Sequence, residues 1–212
     1  MKNGSSPPID EDHTGFSLET GRWGRLALET PLVGRHQALN AALAVRIAEA
    51  LPDSLRPDAS AVREGVHSVT WPGRTQVEHL GATTWLFDVA HNPAGVDSLV
   101  AVLDRLPLPG PRVLVLGVLG DKEWSRMLPP LFERADAVVL TQPPSAPEER
   151  RWDPVRAARA VSEGRGPEPE IEPLFEAALE RARALAGEGT IVVTGSNHTV
   201  GDALSALGLD PA

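Results

Sequence analysis

The stretch TTWLFDVAHNPAGVDSL, residues 83–99, passes from an apolar segment through a polar turn into a second apolar segment. The first part is typical of a buried strand, and Pro93 stands in the first turn of the helix predicted to follow. Asp88, His91 and Asn92 lie between the two, at the carboxyl end of the strand. Because ligands bind beyond this end of the strands in open α/β sheets, the position favours a binding site. Asp88 could equally cap the helix, and Asn92 could supply the capping oxygen instead.

Strands and helices alternate through the chain from residue 75 onwards, which calls for a mostly parallel sheet with helices on both faces. The predicted fold class is therefore α/β, and two strands joined around Gly81 form an antiparallel hairpin at the start of the sheet. The segments predicted as strands are 75–80, 83–89, 112–118, 136–142 and 190–196. The segments predicted as helices are 93–106, 153–163 (capped by Asp153), 173–186 and 199–208, with 124–133 helical but interrupted by Pro129 and Pro130.

A different pattern occupies the first third of the chain. Residues 1–15 are polar and are predicted to form a tail, and 24–30 alternates apolar and polar residues as a short strand does. The alanine- and leucine-rich segment 35–51 is predicted to be a helix, and a weaker helix is predicted over 57–66.

The composition of the 212 residues excludes several kinds of protein. The chain has no cysteine, which excludes a disulfide framework, a thiolate zinc site and a cysteine nucleophile. Its formal net charge of -9 argues against nucleic-acid binding through phosphate contacts, although a nucleotide needs only a few local cations and N–H groups. No apolar run is long enough to span a membrane and the start lacks the apolar core of a signal peptide, so the sequence predicts a cytoplasmic protein.

Four further segments carry residues that could act in chemistry. In WPGR, residues 71–74, a rigid turn could hold Arg74 on phosphate oxygens, or it is only a loop before a strand. Asn40 in the first helix could read an adenine edge through its amide, or it faces solvent. Lys122 could bind a carboxylate or phosphate, or it is a solvated loop charge. Ser196 stands at the start of a helix whose N-terminus could bind an anion, or its side chain only caps that helix. Polar clusters at the carboxyl ends of three strands are how an α/β active site is built, so we favour the joint functional interpretation.

Five motifs, in their order along the chain, resemble the C-terminal part of the Mur ligase superfamily, specifically bacterial folylpolyglutamate synthase/dihydrofolate synthase. They are HQALNAALA, WPGR, DVAHNPAG, GDKEW and TGSNHTVGD, and Val89 stands where the family pattern usually has glycine. The resemblance covers nearly the whole chain after residue 15. It implies a Rossmann-like Mur ligase C-terminal domain over 67–212. Over 1–66 it implies a polar tail, then the strand and HQALNA helix that remain from a central ATPase domain, and a linker helix.

The resemblance implies an ATP-dependent ligase of folate metabolism. In that family ATP phosphorylates a carboxylate of folate or dihydropteroate, and the amino group of L-glutamate then displaces phosphate to form an amide. ATP and Mg²⁺ are the implied cofactors, with the metal ligands outside this chain. The implied partners are these small molecules. Neither nucleic acid nor a membrane is an implied partner. By motif match the nucleotide is contacted by Asn40 (adenine), Arg74 (phosphates) and Asp88 (ribose). L-glutamate is contacted by His91 and Ser196. The implied catalytic residues are His91 and Lys122.

No phosphate loop of the form G-x-x-x-x-G-K-S/T occurs in the 212 residues. The family carries this loop in an N-terminal ATPase domain, so the resemblance implies that such a domain completes the site and that this chain alone does not turn over. A domain of this kind should expose an apolar patch on the face that normally closes over ATP, which includes Arg74 and the HQALNA helix. Two alternatives stay open: a stand-alone α/β domain that binds a nucleotide or amino acid without catalysis, and another Mur-type ligase acting on different substrates.

Overall fold

Strands β1 (Thr14–Thr20) and β2 (Gly24–Thr30) form an antiparallel hairpin in the computed structural model, which describes residues 13–161 and 164–209. The strand predicted over 24–30 is confirmed. Strand β1 begins inside the segment predicted as a tail, because Thr14 pairs with Thr30 across the hairpin and lies buried there. The remainder of the predicted tail, residues 1–12, lies outside the described residues.

Two helices complete the first of two compact units, Met1–Trp71. They are α1 (Arg35–Ala50) and α2 (Ala59–His67). A small apolar core joins them to the hairpin, made of Leu26, Leu28, Val45 and Val62. The Asp58 side chain caps α2 by accepting a hydrogen bond from the Ala61 N–H at 2.8 Å, which fixes where the helix begins.

The second unit, Pro72–Ala212, contains one six-stranded sheet. Its strands are β3 (Gln76–Leu80), β4 (Thr83–Asp88), β5 (Arg112–Leu116), β6 (Ala137–Leu140), β7 (Glu170–Ile171) and β8 (Thr190–Thr194). They lie in the order β3-β4-β8-β5-β6-β7, and all neighbours are parallel except the hairpin pair β3 and β4. The predicted fold class is confirmed. Strand β7 was not predicted, because two residues are too short to show a period.

In the described part of this unit, four α-helices connect the strands and a fifth follows the last strand. They are α3 (Pro93–Leu103), α4 (Trp124–Phe132), α5 (Pro154–Val161), α6 (Phe175–Ala186) and α7 (Asn197–Ala206). Helix α4 is continuous through Pro129 and Pro130, contrary to the interruption predicted there. The prolines remove two backbone donors, and burial of the apolar residues of α4 stabilises the helix despite that loss. Asp153 caps α5 as predicted, and the last residues predicted for this helix, 162 and 163, lie outside the described part.

The sheet is buried on both faces, which explains its continuous apolar strands. Trp85 and Phe87 stack at 5.9 Å and pack in one cluster with alanines of α6 and α7. The alternate residues Leu86 and Leu114, whose side chains point to the other face, are also fully buried. Within residues 13–161 and 164–209, no helix combines the length and the hydropathy that crossing a membrane requires.

Candidate functional site

The carboxyl ends of three neighbouring strands bring most of the candidate residues to one edge of the sheet. Asp88 ends β4 and pairs with Thr194, which ends β8 and also pairs with Leu116 at the end of β5. The segments that follow these strands carry His91, Ser196 and Lys122 respectively. This edge is where parallel α/β sheets bind ligands.

Asp88 binds the protein at both of its carboxylate oxygens. Oδ2 accepts hydrogen bonds from the N–H and the hydroxyl of Thr75, each at 2.9 Å, and Oδ1 accepts one from the Ala90 N–H at 2.9 Å. The helix cap is Asn92, whose Oδ1 accepts from the Gly95 N–H at 2.8 Å. The structure therefore decides against Asp88 as the cap and confirms Asn92 in that role. Asp88 joins the turn before β3 to the turn after β4.

The turn WPGR packs closely on its surroundings. The Gly73 carbonyl accepts a hydrogen bond from the Val89 N–H at 2.9 Å, and Gly73 has a positive φ of 69°. A Cβ at Gly73 would lie 2.8 Å from a methyl of Val200 and 3.1 Å from one of Val89, so no larger residue fits without movement. Arg74 follows, half-buried, and is thereby held beside the segment that carries Asp88.

Ser196 is almost fully buried and uses its hydroxyl within the protein. Its Oγ accepts from the Thr199 N–H at 3.0 Å and lies 2.8 Å from the Thr199 hydroxyl. The Thr199 hydroxyl donates to the Gly117 carbonyl at 2.5 Å, so the Ser196 hydroxyl donates to Thr199. Ser196 is thus the cap of α7, and its network ties the turn after β8 to the segment after β5. The first N–H groups of α7 remain the natural anion donors here.

His91 is half-buried, and a backbone contact fixes its ring. Nδ1 lies 2.9 Å from the Val89 carbonyl oxygen and therefore carries the proton that it donates there. In the neutral ring Nε2 then holds the lone pair, with the side-chain amide nitrogen of Asn92 3.5 Å away. A ring fixed in this way can accept a proton at Nε2.

Lys122 lies on a segment that a neighbouring loop holds in place. The Gly120 N–H donates to the Arg150 carbonyl at 2.7 Å, and the Arg150 guanidinium contacts both carboxylate oxygens of Asp121 at 2.9 and 3.1 Å. This guanidinium lowers the pKa of the Asp121 carboxyl. Lys122 itself is half-buried beside this pair.

Sequence reasoning missed a contact between the loop after β6 and α7. The Ser145 hydroxyl lies 2.9 Å from Nδ1 of His198, and its N–H donates to Asp202 at 3.1 Å. His198 and Asp202 are four residues apart on a helix, a spacing that would have shown their shared face. Ser145 gave no signal, because QPPSAP is typical of an ordinary loop.

Asn40 belongs to the first unit and lies on the exposed face of α1, where its side-chain amide donates to Oε1 of Gln37 at 3.1 Å. Within the described ranges, no group of three or more His, Asp or Glu side chains is arranged to hold a metal ion.

The chain matches the family described as "Mur ligase, glutamate ligase domain" over residues 73–198. It is 34% identical over 198 residues to a probable bifunctional folylpolyglutamate synthase/dihydropteroate synthase of Haloferax volcanii, which covers 92% of this chain and 22% of that protein. It is 36% identical over 204 residues to the dihydrofolate synthase/folylpolyglutamate synthase of Mycobacterium tuberculosis, covering 85% of this chain and 40% of that protein.

The fold also matches a solved structure, Mycobacterium tuberculosis folylpolyglutamate synthase complexed with ADP. The TM-score is 0.83 at 32% identity, and the match covers 97% of this chain and 47% of that one. In each of these matches, this chain therefore spans less than half the length of the matched protein.

Proposed function

This chain belongs to the Mur ligase family through its glutamate ligase domain, and from that premise we propose that it is the glutamate- and nucleotide-contacting part of a folylpolyglutamate synthase/dihydrofolate synthase. In the proposed reaction a carboxylate oxygen of folate or dihydropteroate takes the terminal phosphoryl group of ATP. The amino nitrogen of L-glutamate then attacks the acyl carbon, phosphate leaves, and the nitrogen loses a proton. A cytoplasmic location is part of this proposal.

One observation carries the proposal: at one edge of the sheet, hydrogen bonds join the PGR turn to the DVAHNP turn, and others join the GS turn to the segment after β5. Asp88 reaches Thr75 beside the first, and Thr199 joins the third to the strand end at Gly117. Residues far apart in sequence thus form one surface at the edge where this fold binds ligands.

In the second unit the nucleotide would lie against Arg74 and Asp88. Arg74 supplies a cation that can fork onto phosphate oxygens. The carboxylate oxygens of Asp88 are hydrogen-bond acceptors, and ribose hydroxyls are donors that suit them. The exposed amide of Asn40 suits an adenine edge.

The amino acid would lie against His91, Ser196 and Lys122. Nε2 of His91 can accept the proton that the attacking nitrogen loses. Because the Ser196 hydroxyl is bound within the protein, we assign the contact with a carboxylate of L-glutamate to N–H groups of the first turn of α7. Lys122 would neutralise charge on the acyl phosphate.

We assign none of these residues to the binding of Mg²⁺. No set of His, Asp and Glu in the described ranges suits a metal, so its ligands are assigned to a part that this chain does not supply. We still expect that this chain alone does not catalyse the reaction, because the 212 residues contain no phosphate loop.

We would test the proposal by titrating ADP and L-glutamate separately into the ¹⁵N-labelled chain and following amide shifts, a method that detects weak binding. We expect ADP to shift the amides of 73–75 and 88–92, and L-glutamate those of 91 and 196–199. Arg74→Ala should weaken ADP binding about tenfold, the loss of one charge-assisted contact.

The matched control is Arg105→Ala, which removes an exposed arginine elsewhere in the same unit and should leave ADP binding unchanged. Saturating ADP that moves none of the amides of 88–92 would contradict the nucleotide part. L-glutamate shifts absent from 91 and 196–199 would contradict the amino-acid part.

We also propose that a phosphate-loop-bearing domain covers the outer face of α1. Leu39, Leu43 and Ile47 recur every four residues and are 63%, 61% and 60% exposed, a continuous apolar stripe. The part of the expected apolar patch that falls on the HQALNA helix is therefore present. A stripe of this kind favours a protein partner of apolar surface over solvent.

The stripe is tested by changing all three residues to glutamine. We expect the unchanged chain to bind a fluorescent apolar dye and to self-associate in analytical ultracentrifugation. The triple variant should fold as before, bind less dye and self-associate less. Leu174→Gln is the control, because that exposed leucine lies in the second unit. If the triple variant behaves as the unchanged chain does, the stripe is not a docking surface.

A further inference from the structure

Thr75 holds a backbone conformation that its side chain disfavours. Its φ is +49°, in the left-handed region, where a β-branched residue is an outlier. The residue is 1% exposed, so neither solvent nor a mobile loop accounts for this geometry. A conformation of this kind persists only where surrounding contacts hold it, and such residues cluster at functional sites.

The Asp88 carboxylate is what holds Thr75. One oxygen accepts both the N–H and the hydroxyl of Thr75, and the other is fixed by the Ala90 N–H. Asp88 is 6% exposed, and hydrogen bonds to an ionised acceptor in such a place are stronger than those between neutral groups.

Gly73 is fixed on the other side of Arg74. It too has a positive φ, its carbonyl accepts from the Val89 N–H, and its N–H donates to Oε1 of Gln76 at 3.0 Å. Arg74 therefore stands between two residues whose backbones are each held in the left-handed region by contacts with other segments.

We propose that Thr75 is a positioning residue for Arg74: its hydroxyl, bound by Asp88, fixes the backbone so that the guanidinium is presented to the nucleotide phosphates in one orientation. This deepens the proposed function and rests on it. Asp88 thereby has two tasks, since the carboxylate assigned to the ribose also sets the turn that presents the phosphate-binding arginine.

The experiment compares Thr75→Val, which keeps the shape and removes the hydroxyl, with Thr75→Ser, which restores it. Thr83→Val is the matched control, because it removes a hydroxyl that donates to the Gly187 carbonyl, away from the turn. In each variant without nucleotide, ¹⁵N relaxation of the Arg74 Nε–H reports the order of the guanidinium. ADP affinity is then measured from amide shifts.

We expect Thr75→Val to lower the order of Arg74 and to weaken ADP binding about tenfold, as the loss of one hydrogen bond to a charged group would. Thr75→Ser should restore both, and Thr83→Val should change neither. If Thr75→Val does not fold, Thr75→Gly replaces it, because glycine accepts the positive φ and still lacks the hydroxyl.

Unchanged Arg74 order in the valine or glycine variant would overturn the proposal, and so would a serine variant as mobile as the valine one. The order of Arg74 is read without nucleotide, so it decides the positioning role separately. Absence of ADP shifts in the unchanged chain, with Arg74 order still dependent on Thr75, would contradict the proposed function and leave the positioning of Arg74 established.

Discussion

Asp88 and Ser196 are buried polar residues whose side chains bind the protein itself before they could bind a ligand. Each joins segments that lie far apart in the chain: Asp88 binds Thr75, 13 residues away, and Ser196 acts through Thr199 on Gly117, 82 residues from Thr199. Replacing either residue therefore disturbs the fold of the site as well as any ligand contact. His91 is the better probe of binding, because the contact of its Nδ1 with the Val89 carbonyl lies within one turn.

Ser196→Ala should lower the free energy of unfolding by about 1–2 kcal/mol, the usual effect of losing a helix cap. The variant leaves the Thr199 N–H and hydroxyl without their Ser196 partner in a buried place. Urea unfolding followed by circular dichroism measures the loss.

Ser98→Ala is the control for this change, since the hydroxyl of Ser98 donates to the Ala94 carbonyl of its own helix and caps nothing. It should change the stability by less than about 0.5 kcal/mol. Equal effects from the two alanine variants would contradict the capping role of Ser196.

At the scale of elements, ion pairs stabilise segments that contribute no residues to the apolar core. Strand β7 consists of two exposed residues, and Glu170 in it binds Arg181 of α6 through two contacts of 2.6 and 2.7 Å. This guanidinium lowers the pKa of the Glu170 carboxyl. A carboxyl whose pKa is lower in the folded state stabilises the fold above its ordinary pKa, about 4.3, and that contribution disappears as the pH falls through the lowered value.

Arg181→Gln should therefore raise the pKa of Glu170 towards its ordinary value and remove this part of the acid dependence of stability below about pH 4.3. Carbon-detected NMR of the glutamate carboxyl across a pH titration measures the change directly. The effect on stability should be small, because the pair is largely exposed and water screens it.

Glu176→Gln on the same helix leaves the pair intact and should not move the Glu170 titration. A Glu170 signal that titrates identically with and without Arg181 would show that the contact does not persist in solution.

At the scale of the whole chain, the two units differ in how much apolar surface each buries. The first unit rests on Leu26, Leu28, Val45 and Val62, whereas the second buries both faces of a six-stranded sheet. Burial of apolar surface is the main stabilising term, so the units should differ in local stability.

We expect amide hydrogen exchange to be faster in strands β1 and β2 than in β5 and β8 under native conditions. Mass spectrometry of peptides from 14–30, 112–116 and 190–194 measures this difference. Equal protection in all three peptides would contradict different local stabilities of the two units.

Covering the α1 stripe with a partner domain should slow exchange in the first unit, because the partner binds only its folded form.

The sequence by itself determined the elements that local patterns encode. Continuous apolar runs gave β5 and β8, the proline after Asn92 gave the start of α3, and the alternation of strands with helices gave the parallel sheet. The motifs also gave the family, because they keep their order and spacing. These features depend on residues a few positions apart, which one chain displays directly.

Only the tertiary structure decided which groups meet. The strand order, the pairing of β7 and the partners of Asp88 and Ser196 depend on contacts between segments that sequence spacing does not relate. Thr75 gave no signal at all, since a threonine after an arginine is ordinary, and its strained backbone exists only because a carboxylate from another strand holds it. Long-range hydrogen bonds fix such positions, and they form only once the sheet has brought the strand ends together.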